Sequence, residues 1–426
     1  MSHVLDSLKL RQSESEKLKI NIKEDGYYSI SVKAAASTNW QEDNNESLML
    51  RIYLNNDHHQ DIVLFYGKQT FTYKRLLGKM KAGVYEIEVI CESPRNNQAF
   101  AEVESFVVEK LHLSERETLA VHYAPKLYGR AVYSKYDNLY TDTPLEMIYF
   151  FDVWEKGHVI EYHMVFSHED EGTPAVLLMS KWGRLLDIEY MARVYLNEEN
   201  EIDHVDYQGP EHQVKRYKHS LNENKQVILQ TATCNGNFTD EITSDYHFSF
   251  IPSYEWKVEQ EAREVVMQRF PYINHVMRWE AERQLQQLDV PYHSIHDIRE
   301  YIYIQSSVWD VQLGQPSVDI LCRLEGEEKW YSSSLHHTTI GSFSAAYTGP
   351  YNHFATAIRL PEGKSIHDVA EVKIDLINNT LLKAHVKHLK VFAFDEKNEL
   401  RPYILLECHE QLSPVEVEKI IWRKEK

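Results

Sequence analysis

Asp25-Gly26-Tyr27-Tyr28-Ser29-Ile30-Ser31-Val32 and its later counterpart Lys81-Ala82-Gly83-Val84-Tyr85-Glu86-Ile87-Glu88-Val89 decide the fold class. In each, a turn containing glycine leads directly into residues that alternate: Tyr28, Ile30 and Val32 on one side, Ser29 and Ser31 on the other. The later stretch sets Tyr85, Ile87 and Val89 against Glu86 and Glu88. Side chains on a strand switch faces at every residue, so this period of two predicts half-buried β-strands. Working outward, Leu18 to Ile22, Leu48 to Leu54, Ile62 to Tyr66 and Ala101 to Val108 have the same character, with Asn55-Asn56-Asp57 as a further turn. Short strands at this spacing predict an all-β sandwich over residues 1–112.

This layout resembles the jelly-roll accessory domains of carbohydrate-binding-module type. The resemblance implies a surface that recognises glycans. Trp40 and Tyr66 here, with Trp330 and Tyr351 near the other end of the chain, are the candidate ligand-binding aromatics, because a ring offers an apolar face with a polar edge. The competing reading places them in the cores, which consume large side chains.

The rest of the chain keeps the mainly β, multidomain sandwich character with one interruption. Leu145 to Val153, Val159 to Phe166 and Leu186 to Leu196 predict a second sandwich over 113–254. From 255 to 300 the period changes: Val258, Ala262, Val265, Val266, Ile273, Val276, Met277 and Ala281 recur at helical steps, with Pro271 separating two helices and Pro291 ending the run. This pattern predicts a helical connector. Strands return in 301–426, a third jelly-roll-like sandwich of accessory type, and Pro414 to Trp422 is expected to close it as a short helix.

Composition removes several classes of function. Acidic residues outnumber basic ones, 65 to 46, for a formal charge of −19, which repels nucleic acid and anionic membranes at long range. With 15 Gly and 13 Pro in 426 residues, phosphate-cradling loops are scarce, and neither GxGxxG nor GxxxxGK[ST] occurs. The four cysteines, Cys91, Cys234, Cys322 and Cys408, form no CxxC pair, which points to free thiols. No apolar run reaches the ~18 residues of a membrane helix, and the first residues lack a basic and apolar leader. The expectation is a soluble protein, cytoplasmic as synthesised, with leaderless release left open.

The densest chemistry lies between Glu161 and Glu189. Asp187 and Glu189 are two apart, so both carboxylates fall on one strand face. With His163 or His168 from the preceding segment they are the candidate metal ligands: Ca²⁺ or Mg²⁺ if oxygen donors dominate, Zn²⁺ or Mn²⁺ if histidine joins. The alternative is that both carboxylates pair with Arg184, Arg193 or Lys181. Glu169, Asp170 and Glu171 are further acids, suited to glycosidase chemistry only if two face each other across a sugar.

Together with His122-Tyr123-Ala124-Pro125-Lys126-Leu127-Tyr128, these segments resemble the vacuolar-sorting-associated (Vps-type) β-sandwich family. More distantly they are similar to the necrosis-inducing-peptide-like cytolysins, whose heptapeptide Gly-His-Arg-His-Asp-Trp-Glu supplies metal ligands. Gly183-Arg184-Leu185-Leu186-Asp187-Ile188-Glu189 keeps its Gly, Asp and Glu, and departs at both histidines (Arg184, Leu186) and at the tryptophan (Ile188). Three functions follow as expectations. The first is a binding protein for glycan or lipid surfaces, toxin-like, with one divalent cation in its central domain. The second is a metal-dependent hydrolase or lyase using the Asp187/Glu189 face. The third is a self-assembling structural protein, the oligomeric state being illegible in sequence.

Overall fold

The computed structural model describes residues 2–92, 96–130, 143–169, 173–221, 225–287, 295–377 and 383–425. The chain is mainly β, as the alternation predicts, and forms two compact units: Met1–Glu171 with Asp187–Glu255, and Gly172–Leu186 with Trp256–Lys426.

The first unit begins with eight strands: β1 Ser2–Arg11, β2 Ser15–Ile22, β3 Gly26–Ala36, β4 Leu48–Leu54, β5 Asp57–Leu64, β6 Phe71–Met80, β7 Gly83–Glu92 and β8 Phe100–Lys110. They make two four-stranded sheets, ordered β1-β8-β3-β6 and β2-β7-β4-β5. Each sheet draws strands from both halves of the segment, which is the interleaved order of a two-sheet jelly roll. Ile30 and Val32 of β3, Leu50 and Ile52 of β4, and Ile87 and Val89 of β7 are buried. Each such side chain contributes about 2 kcal/mol by leaving water.

Helix α1 (Glu115–His122) follows. Its start is set by Ser114, whose Oγ accepts the Glu117 N–H at 3.2 Å while the Glu117 carboxylate accepts the Ser114 N–H at 2.8 Å. The remaining strands of this unit are β9 Lys126–Tyr128, β10 Pro144–Trp154, β11 Gly157–Phe166, β12 Asp187–Asn197, β13 Ile202–Gln208, β14 Val214–Arg216, β15 Ile228–Thr231, β16 Phe238–Thr239, β17 His247–Phe248 and β18 Pro252–Glu255. They form a six-stranded sheet, β14-β13-β12-β11-β10-β18, and a four-stranded one, β16-β15-β9-β17.

In the second unit, Tyr301–Trp309, His353–Arg359, Ala384–Phe394 and Leu400–Leu412 form one sheet, and Val318–Leu324, Trp330–Ser332, Val369–Leu376 and Glu418–Arg423 the other. Helix α2 (Ala175–Trp182) belongs to this unit although its sequence lies inside the expected central sandwich. Helices α3 (Val266–Arg269) and α4 (Tyr272–Gln287) are separated at Pro271, and α4 buries Ile273, Val276, Met277 and Ala281. Pro291 lies outside the described residues. None of the described helices is long and apolar enough to cross a membrane.

The expected C-terminal helix is replaced by a strand. Glu418–Arg423 pairs antiparallel with Val369–Leu376, and Lys373 Nζ reaches Glu418 at 2.7 Å. The apolar residues Val417, Ile420 and Ile421 suit either a helix face or a half-buried strand, and an available sheet edge decides for the strand.

Candidate functional site

The β4–β5 hairpin turns through Asn55 and Asn56, both at positive φ (51° and 71°), the geometry of a two-residue turn that matches strand twist. Two residues later the register slips: Tyr53 pairs with His58 and Ile52 with Gln60, so His59 is an extra residue in β5. Such a bulge re-aims side chains. His58 and Asp61 would face opposite ways on a regular strand. The added residue turns them together, and His58 Nε2 lies 3.0 Å from Asp61 Oδ2.

Asp61 is fully buried and its carboxylate is well occupied. Arg51, its cross-strand partner, donates Nε–H to Oδ1 at 2.9 Å, and the backbone N–H of His247 on β17 donates to Oδ2 at 2.8 Å. His247 Nε2 stands 2.7 Å from the carbonyl of His59, which requires the proton on Nε2. The other ring nitrogen, Nδ1, is buried with no hydrogen-bond partner, on a residue 4% exposed. Burial, then the charges of Lys126 and His58, push the His247 imidazolium down to about 3. His59 donates from Nε2 to the Leu77 carbonyl at 3.1 Å and accepts from Gln60 Nε2 at 3.2 Å; burial and then Lys126 push it to about 4. Both rings are therefore neutral near pH 7. Tyr53, His58, His247 and Tyr128 continue as a row of rings with centroids 5.6, 4.4 and 4.7 Å apart.

Beside this row opens a cleft of about 420 Å³. One wall is the β4–β5 hairpin with Asn55, Asp57, His58 and His59, another is β6 with Leu76, Leu77 and Gly78, and Lys126, Gln226 and Ser249 complete it. Lys126 Nζ lies 3.5 Å from the His59 carbonyl and 3.3 Å from His247 Nε2. Among the described residues no carboxylate stands within 4.0 Å of it. Burial lowers its pKa, outweighing the charge of Asp61, which acts in the opposite sense.

The residues singled out from sequence lie elsewhere. Asp187 and Glu189 share one face of β12, and both adjoin Gly236, where a Cβ would sit 2.5 Å from Asp187 Oδ2 and 3.1 Å from Glu189 Cγ. Glu189 accepts from Gln208 Nε2, with His212 Nδ1 3.8 Å away. His163 Nε2 contacts Glu161 Oε1 at 2.8 Å, and Arg193 takes the second oxygen. Burial pushes the Glu161 carboxyl up, but His163 and Arg193 together outweigh it and hold the group below its ordinary range. His168 Nδ1 is 3.0 Å from Ser167 Oγ. Arg184 bonds Glu264 at 2.9 Å, within the second unit. Asp170 and Glu171 fall outside the described residues. Among the described residues, the His, Cys, Asp or Glu side chains that meet in a group of three, with ligand atoms within 4.8 Å, are His58, Asp61 and His247. The only trace of this group in the sequence is the run His58-His59-Gln60-Asp61 after a turn.

Of the aromatics, Trp40 is buried, its ring 6.4 Å from that of His168. Tyr66 is half-buried and stacks on Phe71 at 4.7 Å. Trp330 is half-buried beneath Arg323 and Lys373, at 5.7 and 4.9 Å, and Tyr351 meets Trp256 edge-on at 4.9 Å.

No family model and no curated protein matches the chain. Among solved structures, it is similar to the CBM36-1 domain of a multidomain xylanase from the hindgut metagenome of Trinervitermes trinervoides, at 10% identity and a TM-score of 0.20, over 25% of this chain and 78% of that one. A carbohydrate-binding module CBM36 in complex with calcium and xylotriose matches at 14% identity and a TM-score of 0.19, over 24% and 78% of the two chains. The module CBM6cm-2 from Cellvibrio mixtus lichenase 5A, in complex with cellotriose, matches at 12% identity and a TM-score of 0.19, over 26% and 92%. The jelly-roll assignment itself rests on the strand order of β1 to β8.

Proposed function

We propose that the first unit is a glycan-binding module and that the sugar occupies the cleft between the β4–β5 hairpin, β6 and Lys126. The observation that carries this reading is the cleft: at about 420 Å³ it falls in the range of about 300–1,000 Å³ usual for small-ligand sites. Part of its wall is strand, β5 and β6 with Lys126 of β9, which holds that side of the cleft in place before a ligand arrives. Asn55, Asp57 and Gln226 offer the mixed donors and acceptors that hydroxyl groups need, and the leucines of β6 give an apolar floor. Lys126, which has no carboxylate partner among the described residues, favours sugars that carry one. Equilibrium binding of the whole chain to neutral and uronate-containing oligosaccharides tests the proposal. Saturable binding that a Gln226→Ala variant weakens is expected, and failure to bind any oligosaccharide would overturn it.

A second reading keeps the Asp187/Glu189 face as the cation site of a hydrolase or lyase. It is favoured by both carboxylates turning toward the Gly236 loop. On this reading Asp187→Asn loses one equivalent of bound metal relative to the wild type, together with a metal-dependent activity, and a metal content unchanged from the wild type removes it.

A further inference from the structure

We infer that His58, Asp61 and His247 form a binding site for a divalent transition ion of the zinc class, set in the wall of the cleft. The three side chains come from a bulged hairpin and from a strand almost two hundred residues later, yet their ligand atoms lie within 4.8 Å of one another. His58 Nε2 and Asp61 Oδ2 are 3.0 Å apart, close to the edge of about 3.3 Å that bonds of about 2.0–2.1 Å give around a tetrahedral ion.

His247 supplies the independent observation. Its Nε2–H is committed to the His59 carbonyl, so Nδ1 carries the free lone pair, and that atom is buried without a partner. A buried acceptor left unfilled has lost its water without gaining a partner. Metal-binding imidazoles are held in this way, one nitrogen on a backbone carbonyl and the other on the ion. Asp61 is oriented likewise: Arg51 holds Oδ1 and the His247 N–H holds Oδ2, leaving a lone pair on Oδ2 where His58 now bonds. When the ion enters, that one hydrogen bond gives way to two metal–ligand bonds.

The surroundings choose the metal. The group offers one carboxylate, too few oxygen donors for Ca²⁺ or Mg²⁺, ions that rely on several. Two imidazole nitrogens and one carboxylate oxygen suit Zn²⁺, and Co²⁺ as its spectroscopic substitute. Lys126 approaches His247 from the Nε2 edge, leaving Nδ1 clear of the ammonium. Three protein ligands leave a fourth position for water or a ligand group. Because His58 also lines the cleft, the ion stands beside whatever the cleft holds.

The test is a titration of the chelator-treated full-length chain with Zn²⁺ by calorimetry and with Co²⁺ by visible absorption. One equivalent is expected, with the absorption bands of a nitrogen-ligated Co²⁺. His58→Ala and His247→Ala should each weaken binding at least about 100-fold, above the range for losing a group that only orients a ligand. His336→Ala, at an exposed histidine, should leave it unchanged. His58 is only half-buried, so its variant reports even if His247→Ala does not fold. Absence of stoichiometric binding in the wild type, or its survival in folded His58→Ala, would overturn the assignment.

Discussion

His247 donates its Nε2–H to the carbonyl of His59 across 2.7 Å, joining β17 to the bulge in β5. This bond sets the tautomer of His247 and docks a late strand on the N-terminal jelly roll. Further hydrogen bonds join the same parts: the Leu76 N–H bonds the Ser249 carbonyl at 2.9 Å, and Gln60 reaches both Leu76 and Ser249. Leu76 and Ser249 also line the cleft, so these bonds hold part of its wall.

Asp61 is the centre of that contact, and its removal should be costly. Asp61→Ala takes away the acceptor for Arg51, His58 and the His247 N–H at once, leaving a desolvated guanidinium. Breaking a buried pair on one side costs about 3–5 kcal/mol. Denaturant unfolding of the variant should show a loss of this size. A change under about 1 kcal/mol would mean that solvent screens the network, as it does for surface pairs.

The jelly roll was legible because its evidence is local. Tyr28, Ile30 and Val32 alternate, and the structure buries all three in β3. The triad was not legible, because the bulge at His59 leaves no mark on the alternation and His247 belongs to a strand of two residues. Arg184 shows the same limit: its neighbours suggested Asp187 or Glu189 as partners, whereas its ion pair is with Glu264, 80 positions away. The C-terminal strand misled for a different reason, since pairing with Val369–Leu376 overrode a spacing compatible with a helix.

Stability of the second unit should fall in mild acid through His388. This residue is 5% exposed, with Ser307 Oγ 3.2 Å from Nδ1 and the His353 ring stacked at 5.1 Å. Burial, then Lys390 and His353, push its pKa from 6.5 to about 4. Between these values the unfolded chain binds more protons than the folded one, so stability decreases as pH falls from about 6.5 to about 4 and this contribution levels off below. Urea midpoints across that window should decline in the wild type and decline less in His388→Leu. Identical slopes would show that other groups carry the acid response.

Gly183 has a structural task in the second unit. It ends α2 at φ 63°, and a Cβ would lie 2.9 Å from the Thr356 carbonyl oxygen. Backbone strain at positive φ and the clash add together, so Gly183→Ala should cost about 2 kcal/mol or more. Thermal unfolding checks this directly. An unchanged midpoint would imply that α2 shifts freely against the strand bearing Thr356.

Lys126 separates ligand recognition from stability. Its ammonium is desolvated in the cleft with no carboxylate within 4.0 Å among the described residues, and burial holds its pKa below the ordinary lysine value. The folded state therefore binds this proton less tightly than the unfolded chain. At pH 7 that is a cost to folding, relieved only as pH rises through the lysine range. Lys126→Met keeps most of the stem and removes the charge, so the variant should be as stable as the wild type or more so. Its affinity for a uronate-containing oligosaccharide should drop about tenfold or more, the equivalent of about 1.4 kcal/mol, while a neutral analogue loses little. Equal losses for the two sugars would show that the stem, and not the charge, makes the contact. A variant that is less stable but binds normally would make Lys126 a structural cation and leave the cleft without its anionic preference.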